Sequence, residues 1–166
     1  MSIQLVVCTT RAFFENCLVA DADKRERAIC AFKTFLEQTP EFSRVDITAN
    51  NRYGSFDLFI RGEDLLREVL LSKSEGLAKA LSQSVYIPTK CREHLSRQFI
   101  YTATDVALEL DVCDMNWLEE AISLVEVTIR EESVSVKRDF LADAVDIYGK
   151  AMAMAHTAQC PIFVSF

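Results

Sequence analysis

The amino-acid sequence predicts an α+β fold: a helix-rich single domain with a small antiparallel sheet built from an N-terminal strand and a hairpin. Two observations predict this class. Short β-branched or alternating apolar segments occupy 2–8 and 45–60, whereas apolar residues at helical spacing dominate from 63 onward. An all-α bundle is the alternative, because the two strand-like segments are short.

The first elements follow from the period of the apolar residues. The segment "SIQLVVC" at 2–8 is β-branched and predicts a strand, and apolar residues at helical spacing in 21–40 predict a helix that stops at Pro40. The period then changes to two on either side of "NNRYG", which predicts a hairpin with its turn at 50–54. The alternating residues are Val45, Ile47, Ala49, Phe56, Leu58 and Ile60.

The later elements are mostly helical. We expect a long helix over 63–81 bent at Gly76, a second one from Thr89 to about 110, a third around 117–128 and a fourth over 136–156. The segment "LVEVTIR" at 124–130 also suits a strand, because it is rich in β-branched residues. The last residues, "PIFVSF", predict a short strand.

Three of these helices have predicted apolar stripes. In the second helix the core stripe comprises Leu95, Phe99, Ala103, Val106 and Leu110. In the third helix the stripe comprises Trp117, Ala121, Leu124, Val125 and Thr128. In the fourth helix it comprises Phe140, Ala144, Ile147, Ala151 and Ala155.

The composition predicts one globular domain over 1–166. Half of the 166 residues are hydrophobic and only four are Gly and three Pro, so a core can form without metals or cross-links. Charges interrupt every window long enough to cross a membrane, and the N-terminus does not resemble a secretory signal. The six cysteines are too scattered for a disulfide framework, so we expect a cytoplasmic protein with buried thiols.

The negative charge is concentrated in one segment. The segment from Asp105 to Glu132 contains nine acidic residues and one basic residue, Arg130, so its net charge is −8. The whole chain has a net charge of −7, so the remaining residues sum to +1. Binding to nucleic acid depends on Lys and Arg that neutralise phosphates, so this distribution disfavours it. It favours a partner protein with a basic surface.

Common catalytic motifs are missing from the sequence. Phosphate-binding loops need closely spaced glycines, but the four glycines stand at 54, 62, 76 and 149. The serine-hydrolase motif GxSxG is missing as well. These absences disfavour Rossmann, P-loop and serine-hydrolase functions.

Four residues form a weak candidate metal site. Cys91 and His94 stand close together, as do His156 and Cys160, and the two pairs would form a tetrahedral zinc set if their helices packed side by side. We favour the simpler interpretation of two unrelated histidines near helix ends. The sequence therefore predicts neither a metal nor a cofactor.

A carboxylate cluster provides the alternative function. Asp139, Asp143 and Asp146 share one helix face, and a second set on the preceding helix could complete a Mg²⁺ site as in helical nucleotide pyrophosphohydrolases. Those enzymes carry ExxE and ExxD pairs, whereas here only "DAVD" at 143–146 has the right spacing. We favour a solvated face in which Lys150 pairs with Asp146. The second set comprises Glu119, Glu120 and Glu126.

The favoured function is that of a non-catalytic, acidic protein-binding domain, of the inhibitor, immunity or adaptor type, that recognises a basic protein surface. Trp117 is the predicted anchor if it is exposed, with Glu119 and Glu120 in an acidic rim around it. Arg52 and Tyr53, in the predicted hairpin turn, form a second candidate contact, because Arg and Tyr are enriched at interfaces.

Overall fold

The two ends of the chain meet in the middle of one mixed sheet. The computed structural model describes residues 2–9, 12–13, 22–38, 52–88, 112–131 and 138–165. Within these residues the sheet has five strands in the order β2-β1-β5-β3-β4. β1 pairs antiparallel with β2 and β5, β5 pairs antiparallel with β3, and β3 and β4 are parallel. The strands are β1 Ser2–Cys8, β2 Arg52–Phe59, β3 Val85–Ile87, β4 Val112–Asp114 and β5 Ile162–Ser165.

Helices make up most of the remaining described chain. They are α1 Ala22–Gln38, α2 Ile60–Lys73, α3 Glu75–Ala80, α4 Met115–Glu131 and α5 Arg138–Ala158. This confirms the helix-rich α+β class, and the all-α alternative is wrong. The sheet is larger than predicted, and it is mixed rather than antiparallel, because β3 and β4 form an additional parallel pair. These two strands have three residues each, too few for a two-residue period to be visible in the sequence. Among the described helices, none is both long and apolar enough to cross a membrane.

The predicted turn residues of the hairpin lie in a strand. Arg52 and Gly54 pair with Cys8 and Val7 of β1, which leaves Tyr53 between them as a bulge residue. The turn prediction at 52–54 is therefore wrong, because pairing with β1 extends the strand through these residues. The first predicted arm, 45–49, lies outside the described residues.

The long predicted helix is broken rather than bent. The break falls at Ser74, whose backbone is extended and whose side chain accepts a hydrogen bond from the Leu77 N–H at 3.3 Å. A serine in this geometry caps the start of a new helix, so α3 begins there and not at the predicted bend near Gly76. The predicted helix up to residue 110 lies outside the described residues.

The core lies between the sheet and helices α2 to α5. Ile3, Leu5 and Val7 of β1 are buried in one cluster with residues of all four helices. On the opposite face Val6 and Cys8 are also buried, and the Phe13 ring stacks on Phe163 with centroids 4.0 Å apart. Both faces of β1 are therefore covered, which explains its nearly continuous apolar sequence.

The buried stripe of α5 is rotated from its predicted position. Ala144, Ala151 and Ala155 are buried as expected, but Phe140 is 41% exposed. Tyr148 is buried instead, although its hydroxyl group makes it resemble a surface residue in the sequence. The segment "LVEVTIR" is helical, because its apolar residues continue the buried stripe of α4.

A buried ionic network joins α2 to α5. The carboxylate of Glu63, which is only 4% exposed, accepts hydrogen bonds from the Tyr148 hydroxyl and from Arg67 Nη2, each at 2.8 Å. Arg67 also donates to Ser82 Oγ at 2.6 Å and to the Leu81 carbonyl at 3.3 Å. Both carboxylate oxygens are therefore satisfied inside the protein, as a buried charge requires.

The same network affects two buried phenols. Burial raises the pKa of Tyr86 and of Tyr148 above the ordinary value, and the negative charge of Glu63 raises both further. Tyrosines in the unfolded chain ionise near pH 10, whereas these two stay neutral in the folded protein. Their contribution to stability is therefore complete below about pH 10 and is lost as the pH rises above it.

We predict that the free energy of unfolding falls above about pH 10, with a slope approaching 1.4 kcal/mol per pH unit for each buried tyrosine. Urea denaturation at several pH values between 9 and 12 measures this slope. Tyr148→Phe should reduce it, whereas Tyr53→Phe, at a half-exposed position, should leave it unchanged. Equal slopes in the two variants would contradict the prediction.

Candidate protein-binding surface

One face of α4 points away from the core and carries large apolar side chains. Trp117 is 53% exposed and Val127 is 43% exposed. The opposite face of the helix is buried through Met115, Leu118, Ala121, Ile122, Val125 and Thr128. Trp117 is therefore not part of the core stripe in which the sequence placed it.

The outward residues of α4 form a regular stripe. Trp117, Glu120, Leu124, Val127 and Glu131 are separated alternately by three and four positions. This spacing places all five on one side of a helix, over about 21 Å of its length. Leu124 is half-buried and both glutamates are exposed. We call these five residues the outer stripe.

The outer stripe is electronegative. Among the described residues, Glu120 and Glu131 have no ion-pair partner, whereas Glu126 pairs with Arg130 at 3.7 Å. Glu131 also lies in the last turn of α4, where the helix dipole places partial negative charge. Arg130 lies in the same turn, where it pairs with Glu126 rather than with Glu131.

Glu119 has a different role from that predicted. Its carboxylate binds His156 of α5, so it links the two helices beside the outer stripe. The structure thus brings Trp117 and Glu120 together on one surface and directs Glu119 to the neighbouring helix. Val127 and Glu131 were missed by sequence reasoning, although their alternating spacing was visible in the sequence. Leu124 was assigned to the stripe of the third helix, and it does pack partly against the core.

Tyr53 lies in a second surface feature, an open groove of about 770 Å³ between β2 and α5. The bulge turns Tyr53 to the side of the sheet that faces α5, where Phe56 also points. A Cβ at Gly54 would lie 2.7 Å from Met154 Sδ, so glycine allows Met154 to pack closely here. Arg52 is exposed but does not line the groove. The lining residues are Tyr53, Phe56, Lys150, Ala153, Met154, Thr157 and Ala158.

Half of the candidate zinc set can be located. Cys91 and His94 lie outside the described residues. His156 is exposed and binds Glu119, whereas Cys160 is buried with its thiol directed to the Ala158 carbonyl at 3.4 Å. Within the described part of the chain, no group of three or more His, Cys, Asp or Glu side chains is arranged to hold a metal ion.

The carboxylates of α5 are solvated. Asp139, Asp143 and Asp146 are all exposed, and Lys150 Nζ lies 2.8 Å from Asp146 Oδ2, which confirms the predicted ion pair. That pair raises the pKa of Lys150. Asp146 is thus engaged by a cation of its own helix.

Comparison with known proteins adds no relative. A scan against protein-family models and searches of curated proteins and of solved structures gave no match.

Proposed function

We propose that this protein is a non-catalytic protein-binding domain, of the inhibitor, immunity or adaptor type, that recognises a basic protein surface in the cytoplasm. The observation that carries the proposal is the half-exposed position of Trp117, the chain's only tryptophan, in line with two glutamates that have no ion-pair partner among the described residues. The free thiols of Cys30 and Cys113 agree with a reducing compartment.

The exposed apolar area of Trp117 is a source of binding energy. A tryptophan side chain has roughly 250 Å² to bury, so covering its exposed half would contribute about 3 kcal/mol at 25 cal/mol per Å². Tryptophan is also among the residues most enriched at binding hot spots. Covering this side chain would therefore supply a substantial part of the free energy of binding.

The acids around Trp117 define the charge of the partner. Exposed charges at an interface accelerate association with an oppositely charged surface, and charges that the partner covers also need a counter-charge on it. Glu120 and Glu131 are available for this role because neither pairs with a cation in the described structure. They favour Lys and Arg on the partner.

We predict that the double variant Glu120→Lys, Glu131→Lys associates with the native partner at least tenfold more slowly at low ionic strength. The partner is first isolated from cells on the immobilised protein, and rates are then measured by stopped flow at several salt concentrations. The expected result is a slower rate that no longer falls as salt is added.

The matched control is Glu68→Lys, Glu75→Lys, which makes the same charge change at exposed positions of α2 and α3. It should keep most of the association rate, because these residues lie on other helices. If both double variants associate equally fast and remain folded, the outer stripe is not the binding surface.

A further inference from the structure

We infer that the partner presents a basic amphipathic α-helix, which lies along the outer stripe of α4. This inference rests on the proposed function and specifies the kind of element that is bound. It follows from three features of the stripe: its spacing, the position of its acids and its orientation along the helix dipole.

The spacing of the outer stripe suits a second helix. Separations of three, four, three and four residues from Trp117 to Glu131 are those of the a and d positions of a heptad repeat. Such a seam receives the side chains of a neighbouring helix between its own. A flat partner surface would not require a heptad-like spacing of the contact residues. An extended peptide has side chains that alternate every two residues, which does not match the three- and four-residue spacing of the stripe.

The inner face of α4 is enough to attach this helix to the core, so the apolar residues of the outer stripe are not all needed for that attachment. Leu118, Ala121, Ile122 and Val125 already pack against the rest of the protein. Exposed helix faces in soluble proteins are normally polar, yet here Trp117, Leu124 and Val127 repeat at core-like spacing. The helix therefore has a buried face and an outer stripe. Within the described residues, Leu124 of the stripe packs partly against the core, whereas Trp117 and Val127 remain exposed.

The two glutamates determine which helix can bind. Glu120 and Glu131 occupy seam positions, where an apolar or acidic partner would bury carboxylates without a counter-charge. Lys or Arg opposite them would form ion pairs and set the register. The glutamates also oppose pairing of α4 with a second copy. A parallel pair would place each glutamate against itself, and an antiparallel pair would place Glu131 against Trp117.

The electrostatics at both ends of the stripe favour cations. Glu131 lies at the negative end of the α4 dipole beside Arg130, which pairs with Glu126, so a partner cation there can interact with the Glu131 carboxylate and with the helix end. At the other end the exposed face of Trp117 can receive an arginine through a cation–π contact. A basic helix satisfies both ends at once.

Three synthetic peptides of 18 residues test this inference. The first is an amphipathic Leu/Lys helix with leucines at alternating three- and four-residue spacing. The second is a scrambled peptide of the same composition, and the third replaces every Lys of the first with Glu. Fluorescence anisotropy of labelled peptides gives the affinity, and circular dichroism measures the helix gained on binding.

We expect the basic amphipathic peptide to bind at least tenfold more tightly than the scrambled one, with a gain of helix, and the acidic peptide not to bind. Trp117→Ala and Glu120→Lys should each weaken that binding at least tenfold, whereas Glu68→Lys should change it less than twofold. Equal binding of the amphipathic and scrambled peptides, both dependent on Trp117, would overturn the helix inference and leave the proposed function intact. If neither basic peptide binds, the helix inference is wrong, and the association rate with the native partner decides the proposed function independently.

Discussion

Replacing Arg67 with Met is expected to lower the free energy of unfolding by about 2 kcal/mol at pH 7. Removing one member of a buried ion pair typically costs about 3–5 kcal/mol, because the remaining charge stays in the protein interior. We expect less here, since the Arg67 side chain is 36% exposed and water can partly replace it. The charge left behind is the carboxylate of Glu63, which among the described side chains would keep only the hydrogen bond from the Tyr148 hydroxyl.

Urea denaturation of three variants measures this effect. Arg130→Met removes an exposed arginine that also pairs with a glutamate four residues away, and should change stability by less than about 0.5 kcal/mol. Adding Glu63→Gln to Arg67→Met should recover at least half of the loss, because the buried charge is removed with its partner. Equal destabilisation by Arg67→Met and Arg130→Met would show that the Glu63 network does not stabilise the fold.

Truncating Trp117 to Ala is expected to weaken partner binding by about 2 kcal/mol, or about thirtyfold in Kd. Trp117 is the largest and most exposed apolar side chain of the outer stripe, and its loss leaves Leu124 and Val127 as smaller contacts. Isothermal titration calorimetry with the native partner or the basic amphipathic peptide gives the change directly.

Two further variants make the Trp117 result specific. Trp117→Phe should retain part of the affinity, because an aromatic ring remains in the stripe. Tyr53→Ala, in the groove between β2 and α5, should bind as tightly as the unaltered protein. If Trp117→Ala binds normally while Tyr53→Ala does not, the groove is the binding surface instead.

The sequence predicts where the helices and strands of this protein lie in the chain better than it predicts which of their faces are buried. Strand 2–8 and the helices at 22–38, 115–131 and 138–158 follow from apolar periods that extend over several turns or pleats. Hydrophobic periodicity does not show which face of a helix is buried when that face includes polar side chains. Tyr148 of α5 is buried because Glu63, which is 85 residues away in sequence, accepts its hydroxyl hydrogen bond.

The same limit applies to the candidate surface. Trp117 and Glu120 could be proposed as binding residues from the sequence, because the only tryptophan lies in the most acidic segment of the chain. The sequence did not show whether Trp117 faces the core or the solvent. Trp117 faces the solvent because α4 packs on the core through Leu118 and Ile122, which lie on a different side of the helix. Tyr53 was selected for an exposed turn, whereas pairing with β1 made it a bulge beside α5.

The fluorescence of Trp117 tests most directly whether the outer stripe of α4 is the binding surface, because it is the only tryptophan in the chain. Acrylamide quenching and the emission maximum are measured with and without a saturating amount of the native partner, whose binding is verified by analytical ultracentrifugation. If the stripe is the interface, emission shifts to shorter wavelength and the quenching constant falls at least threefold. A partner that binds at full stoichiometry while both quantities stay unchanged would contradict the proposal.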